Sequence, residues 1–143
     1  MKLKLNWEEF GEYLRTLISG ICHYNQLEPK DRKINKVVGI ANGGLYVSVP
    51  IAIALQVPHE SVKITFRHGR TSIKNINYQY KEGENILLVD DVIDSGKTLA
   101  TFKRKFNNGK IYVAALCNKT ELDVDFYTFV TDKWVIFPWE TQE

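Results

Sequence analysis

Residues 90–98 read Asp90-Asp91-Val92-Ile93-Asp94-Ser95-Gly96-Lys97-Thr98, so three carboxylates, two hydroxyls, an ammonium and a glycine fall within nine positions. Adjacent carboxylates can hold the vicinal hydroxyls of a sugar or a hard cation such as Mg²⁺. A short turn of small polar residues leading into a helix presents backbone N–H groups and hydroxyls, which together form an anion cradle. Acids on one side and a phosphate cradle a few residues on suit a sugar phosphate. Two adjacent acids alone also fit a solvated loop, and Asp94 or Ser95 also fits a helix cap; the complete string is what carries the site reading. Gly96-Lys97-Thr98 imitates the end of a Walker A loop. That loop needs a glycine five positions earlier, where Asp91 would repel phosphate, so a P-loop NTPase is excluded.

The elements around this string must place it. Ile86-Leu87-Leu88-Val89 is an apolar run with β-branched members, which predicts a strand buried on both faces. The acids then stand at its carboxyl end, where open α/β sheets bind ligands. Leu99 to about Phe106 predicts the following helix, ended at Asn107-Asn108-Gly109 by a left-handed glycine. Upstream, Asn6 with Glu9 forms a capping-box pattern, and Phe10, Tyr13, Leu14, Leu17, Ile18 and Ile21 recur at helical spacing. Lys36–Ala41 reads as a second buried strand running into Asn42-Gly43-Gly44, and Leu45–Gln56 as a helix that Pro50 either kinks or starts. Val62–Phe66 is a strand, Arg67–Asn77 a mobile basic loop, and Tyr78–Tyr80 a returning strand. Lys110–Leu116 and Phe126–Val130 are the last strands. Strands alternating with helices imply an α/β fold, a parallel sheet flanked by helices and joined by right-handed crossovers.

A chain of 143 residues, 44% hydrophobic and 25% charged, has the size and balance of one soluble globular domain spanning 1–143. A net charge of +2 is too small to make nucleic acid the main partner. No apolar run is long enough to span a membrane, and no signal peptide is visible. Cys22 and Cys117 are isolated, without metal-ligand spacing, and read as buried small residues in a reducing cytoplasm.

Ile86–Thr98 resembles the phosphoribosyl pyrophosphate signature of type I phosphoribosyltransferases. The order of the opening helix at Trp7, Asn42-Gly43-Gly44, and the tail Asp132–Glu140 is similar to the small bacterial and archaeal xanthine-guanine or hypoxanthine branch. The resemblance covers nearly the whole chain. It implies a small hood built from the chain termini, Mg²⁺ as cofactor, and assembly as a homodimer or homotetramer. It implies transfer of a phosphoribosyl group to a 6-oxopurine base. On this resemblance Asp90 and Asp91 bind the ribose hydroxyls and help hold Mg²⁺, and Asp94 accepts or relays the proton of the base. Ser95, Gly96, Lys97 and Thr98 form the 5′-phosphate loop. Asn42, Gly43 and Gly44 match the pyrophosphate loop, whose relatives often carry a non-proline cis peptide. The family usually has Arg or Lys where this chain has Asn42, so a permanent charge is missing there. Arg67 opens the basic loop that matches the family's flexible hood, with Thr65 and Phe66 at its start packing on the substrate. Trp134 covers the base, Val135 and Ile136 contact its exocyclic group through their backbone, and Lys119 donates to its 6-oxo group. Trp139 reads as core or interface packing. The competing readings are a different acceptor base (adenine, uracil or one like nicotinamide) and a non-catalytic nucleotide sensor.

Overall fold

The computed structural model describes all residues except 76, 107–108, 121–123 and 141–143, together with every side chain among them save Phe66 and Asn75. Asn107 and Asn108, expected to end a helix, and the packing of Phe66 on a substrate lie outside the described residues. The elements are β1 (Lys2–Lys4), α1 (Trp7–Leu27), β2 (Lys36–Ala41), α2 (Leu45–Leu55), β3 (His59–Arg67), β4 (Arg70–Asn75), β5 (Asn85–Ile93), α3 (Lys97–Lys105), β6 (Lys110–Asn118) and β7 (Trp134–Ile136). The main sheet runs β4-β3-β2-β5-β6, parallel except for the β3–β4 pair.

Alternation over Ile86–Val89 of β5 and Val113–Leu116 of β6 sorts their side chains onto two cores. Leu87, Val89, Ala114 and Leu116 pack with Phe10, Leu17 and Ile21 of α1 and Val47 and Ile51 of α2. Ile86, Leu88, Val113 and Ala115 pack with Leu99 and Phe102 of α3. Both faces of the strands are therefore dry, which is why they read as continuous apolar runs rather than alternating ones. At the start of α1 the Asn6 side chain accepts from Glu9 N at 2.8 Å while Glu9 returns a bond to Asn6 N at 3.0 Å, completing the capping box. In α2, Pro50 lies inside the helix, not at its start.

The chain ends form a separate parallel pair, with Lys2 opposite Trp134 and Lys4 opposite Ile136. This is the hood that the resemblance implied. Trp139 stacks on Tyr46 at 4.2 Å and on Phe137 at 4.6 Å, so the tail is fastened to the first turn of α2.

Four expectations are corrected. Residues 67–77 do not form a loop throughout: β3 and β4 make a hairpin whose turn is His68-Gly69, with φ of 53° and 74°. Positive φ at both turn residues matches the twist of a two-residue hairpin loop. Thr65 and Ser72 hydroxyls pair across it at 2.9 Å. The returning strand is thus β4, and Tyr78–Tyr80 is irregular, because buried Tyr78 is taken up by contacts with Phe102 and Phe106. Phe126–Val130 is no strand but makes two parallel bridges to β6, at Ala114 and Cys117. Cys117 is buried, whereas Cys22 is only half-buried.

Lys36 is 3% exposed at the start of β2 and meets Glu60 and Glu84, each at 2.9 Å, and the Gln79 carbonyl at 2.8 Å. Its two carboxylate partners outweigh burial and raise its pKa. This ion triad sits at the end of the sheet opposite the carboxylate string.

Candidate active site

Asp90 and Asp91 are the fifth and sixth residues from Ile86, and they inherit the alternation of β5. Asp90 continues the series of Ile86 and Leu88 and lines a cavity of about 90 Å³ on the α3 side with Asp94, Ser95, Gly96 and Thr98. Asp91 continues the series of Leu87 and Val89 and lines a second cavity of about 210 Å³ with Asp94, Lys119, Trp134, Val135, Phe137 and Glu140. The acid pair therefore borders both cavities just before β5 ends at Ile93. Asp94 lines both cavities.

The first cavity has the size of a phosphate and is walled by the start of α3. Gly96 stands at the helix N-cap with φ 77°, a left-handed conformation that favours glycine. Gly96 has no side chain to cap the helix; the Ser95 hydroxyl beside it accepts from Lys97 N at 3.4 Å. Lys97 does not line this cavity; it faces a separate concavity on the outer side of α3.

The second cavity is apolar on its hood side. Trp134 is 61% exposed at its rim, held by the β1–β7 pairing and by its own N–H donating to the Met1 carbonyl at 3.1 Å. Val135 is buried beneath it, while Ile136, also buried, does not line the cavity with its side chain. Lys119 Nζ donates to the Lys133 carbonyl at 3.0 Å, which aims the ammonium along the cavity wall and leaves it further protons to donate. Glu140 and Phe137 were missed as lining residues; both stand in the same tail as Trp134, and their proximity to Asp91 depends on the tail folding back. Burial, with the Asp91 charge adding to it, raises the Glu140 pKa.

Burial, reinforced by the charge of Asp91 and a hydrogen bond to it, holds the Asp90 carboxyl well above the usual range. A cation between these acids would relieve that repulsion. Among the described residues no group of three or more His, Cys, Asp or Glu can hold a metal alone. Two carboxylates beside a ligand cavity fit Mg²⁺, which keeps waters and takes substrate oxygens rather than a complete protein cage.

The Ala41–Asn42 peptide is cis, and Asn42-Gly43-Gly44 turns from β2 into α2 directly beside the acids. A β-carbon on Gly43 would overlap the Asp91 carboxylate, and one on Gly44 would overlap the Ile40 carbonyl and meet the Val89 carbonyl at 2.9 Å. Gly44 is thus required by backbone packing, whereas a side chain at Gly43 would have to displace the Asp91 carboxylate. Gly44 N–H donates to the Ile40 carbonyl at 3.0 Å, so it is not available to an anion. Arg67 is exposed at the tip of β3, outside both cavities.

The paired acids of β5, a cavity bordered by the small polar turn after them and an apolar cavity under the terminal hood thus meet at one end of the main sheet. The chain belongs to the phosphoribosyl transferase domain family, whose model matches residues 6–143. A xanthine-guanine phosphoribosyltransferase of Ruegeria sp. is 26% identical over 95% of this chain and 84% of its own length. An adenine phosphoribosyltransferase of Haemophilus influenzae is 29% identical over 71% of this chain and 70% of its own. The crystal structure of a purine phosphoribosyltransferase from Pyrococcus horikoshii superposes with a TM-score of 0.85 at 28% identity, covering 99% of this chain and 96% of that one.

Proposed function

We propose that the chain transfers the 5-phosphoribosyl group of phosphoribosyl pyrophosphate to a 6-oxopurine (hypoxanthine, guanine or xanthine), giving the nucleoside monophosphate and pyrophosphate. The observation that carries this reading is Asp94, which alone of the three string acids borders both the phosphate-sized cavity and the apolar cavity. A ribose 5-phosphate seated in the first cavity brings its anomeric carbon toward the second. A base nitrogen bonds to that carbon, the carbon–pyrophosphate oxygen bond breaks, and the proton of the base passes to the Asp94 carboxylate. Asp90 and Asp91 hold the ribose hydroxyls, and their negative charge favours the oxocarbenium-like transition state. Ser95, Gly96 and Thr98 surround the 5′-phosphate.

Lys119 selects the base: an ammonium can donate to a 6-oxo group, which a 6-amino group cannot accept. Trp134 stacks on the ring. Asp90 and Asp91 would hold Mg²⁺, which would neutralise charge on the leaving pyrophosphate. Asn42 supplies no charge, and the first N–H groups of α2 are taken by backbone carbonyls. A single domain in the cytoplasm, where its charged substrate is confined, and a homodimer or homotetramer complete the reading. The outward Tyr46, Val49 and Ile53 of the uncharged helix α2 support association with a second copy.

A panel of hypoxanthine, guanine, xanthine and adenine with phosphoribosyl pyrophosphate and Mg²⁺ tests the reaction. Nucleotide formation from at least one 6-oxopurine, well above adenine, is the expected result. No turnover with any 6-oxopurine overturns it.

A further inference from the structure

The Lys119 ammonium is aimed by a single peptide group. Lys119 Nζ donates to the Lys133 carbonyl at 3.0 Å. The N–H of that same planar unit belongs to Trp134 and donates to the Met1 carbonyl at 3.1 Å. One step upstream, the Lys133 N–H donates to the Thr131 hydroxyl at 3.1 Å, which closes a side-chain turn over 131–133. The backbone of Lys119 is tied as well: its N–H donates to the Ile93 carbonyl at 2.8 Å, beside Asp94. Around it, Asn118 Oδ1 accepts from Thr120 N at 3.0 Å and from Thr120 Oγ1 at 2.9 Å. Among the described residues no carboxylate pairs with Lys119, so the Lys133 carbonyl sets the direction of its ammonium. Asn118 thus fixes where the lysine stem starts, and Thr131 holds the turn where it ends. Neither of them lines the phosphate-sized or the apolar cavity.

We propose that Thr131 is a positioning residue for base selection, its hydroxyl holding the Lys133 segment so that the carbonyl aims the Lys119 ammonium into the apolar cavity. The role rests on the reading of Lys119 as the donor to a 6-oxo group. A lysine ammonium on its flexible stem turns readily to water. With one proton committed to the Lys133 carbonyl, the other two point in set directions. A donor ordered in advance costs little further ordering when the base enters, and a 6-amino group leaves that donor unpaired. Without the Thr131 hydroxyl the Lys133 N–H loses its acceptor, the turn opens, and the carbonyl moves with it. The ammonium then swings to solvent, and the two kinds of base are told apart less well.

Calorimetric titration of the full chain with inosine monophosphate and adenosine monophosphate, the 6-oxo and 6-amino nucleotides, tests this in Thr131→Val, Thr131→Ala and Thr131→Ser. Wild type is expected to prefer the 6-oxo nucleotide by about tenfold or more, the scale of one hydrogen bond to a charged group. Thr131→Val and Thr131→Ala are expected to lose most of that ratio, and Thr131→Ser, which keeps the hydroxyl, to retain it. Amide exchange at Lys133 is expected to quicken in the first two variants and not in the third. In a Lys119→Met background, Thr131→Val is expected to leave the ratio unchanged, because the threonine acts through the lysine. A ratio kept in Thr131→Val and Thr131→Ala, equal weakening of both nucleotides, loss of the ratio in Thr131→Ser, or a further change in the Lys119→Met background overturns this inference alone. Wild type without a 6-oxo preference overturns the base assignment and this inference together.

Discussion

Gly43 lies so close to Asp91 that any β-carbon on it would overlap the carboxylate. The loop after β2 and the acids after β5 are therefore one packed unit, though 48 positions separate the two residues in the chain. Gly43→Ala is expected to push Asp91 aside and lower kcat/KM on the order of a hundredfold, in line with the cost of small displacements at a reacting centre. Far-UV circular dichroism is expected to stay unchanged, and steady-state kinetics with a purine base provide the measure. Full activity in Gly43→Ala would show that the Asp91 position is not critical.

Asp94→Asn separates proton transfer from binding. Loss of a general base commonly costs about 10²–10⁴-fold in turnover, whereas affinity for the ribose phosphate is expected to change little. At the start of α3 the Ser95 hydroxyl accepts from Lys97 N at 3.4 Å, and that contact does not involve the Asp94 carboxylate. Equal losses in kcat and in nucleotide affinity, measured by calorimetry, would refute the proton role.

Trp134 stands at the rim of the base cavity, and Trp134→Ala removes a stacking face whose loss typically costs about 1–3 kcal/mol. KM for the base is expected to rise about tenfold or more, with KM for phosphoribosyl pyrophosphate unaffected. A rise in both would assign Trp134 to holding the hood together.

Asp90 carries a raised pKa, so the folded chain binds a proton there more readily than the unfolded chain. For an acid of this sign, stabilisation is present below the unfolded value of 3.8 and is lost as pH rises through the folded one. At neutral pH Asp90→Asn is expected to stabilise the free protein on the order of 1 kcal/mol while abolishing turnover. Thermal melts give the first result and kinetics the second; a lower melting temperature would contradict it.

His59 has the opposite balance. It shares a hydrogen bond of 2.8 Å with buried Ser48, and burial lowers its pKa below 6.5 despite the attraction of Glu60. The unfolded chain then takes up a proton that the folded chain refuses, so stability is complete above 6.5 and falls as pH drops through the folded value. Urea midpoints at about pH 8 and about pH 5 are expected to differ less in His59→Gln than in wild type. An unchanged difference would place the pH dependence in other groups.

What can be read locally was read from the sequence. The capping box at Asn6 and Glu9, the buried strand Ile86–Val89 and the glycine turn after β2 depend on neighbours a few positions apart, so residue type and spacing reveal them. The hairpin at His68-Gly69 was also local. Its alternating Ile64, Thr71 and Ile73 share one face, but the basic residues interleaved with them mask the period of two.

The sequence by itself determined that acids and a phosphate cradle follow one strand, because strand and helix periods are properties of consecutive residues. Only the tertiary structure decided that Asp90 borders the smaller cavity and Asp91 the one under the hood, since each cavity is closed by segments far away in the chain. It alone brought Glu140 and Lys119 into one cavity with Asp94, closed the termini into a hood, and buried Lys36 between Glu60 and Glu84. Those meetings are made by packing between segments far apart in the chain, and no spacing along the sequence records them.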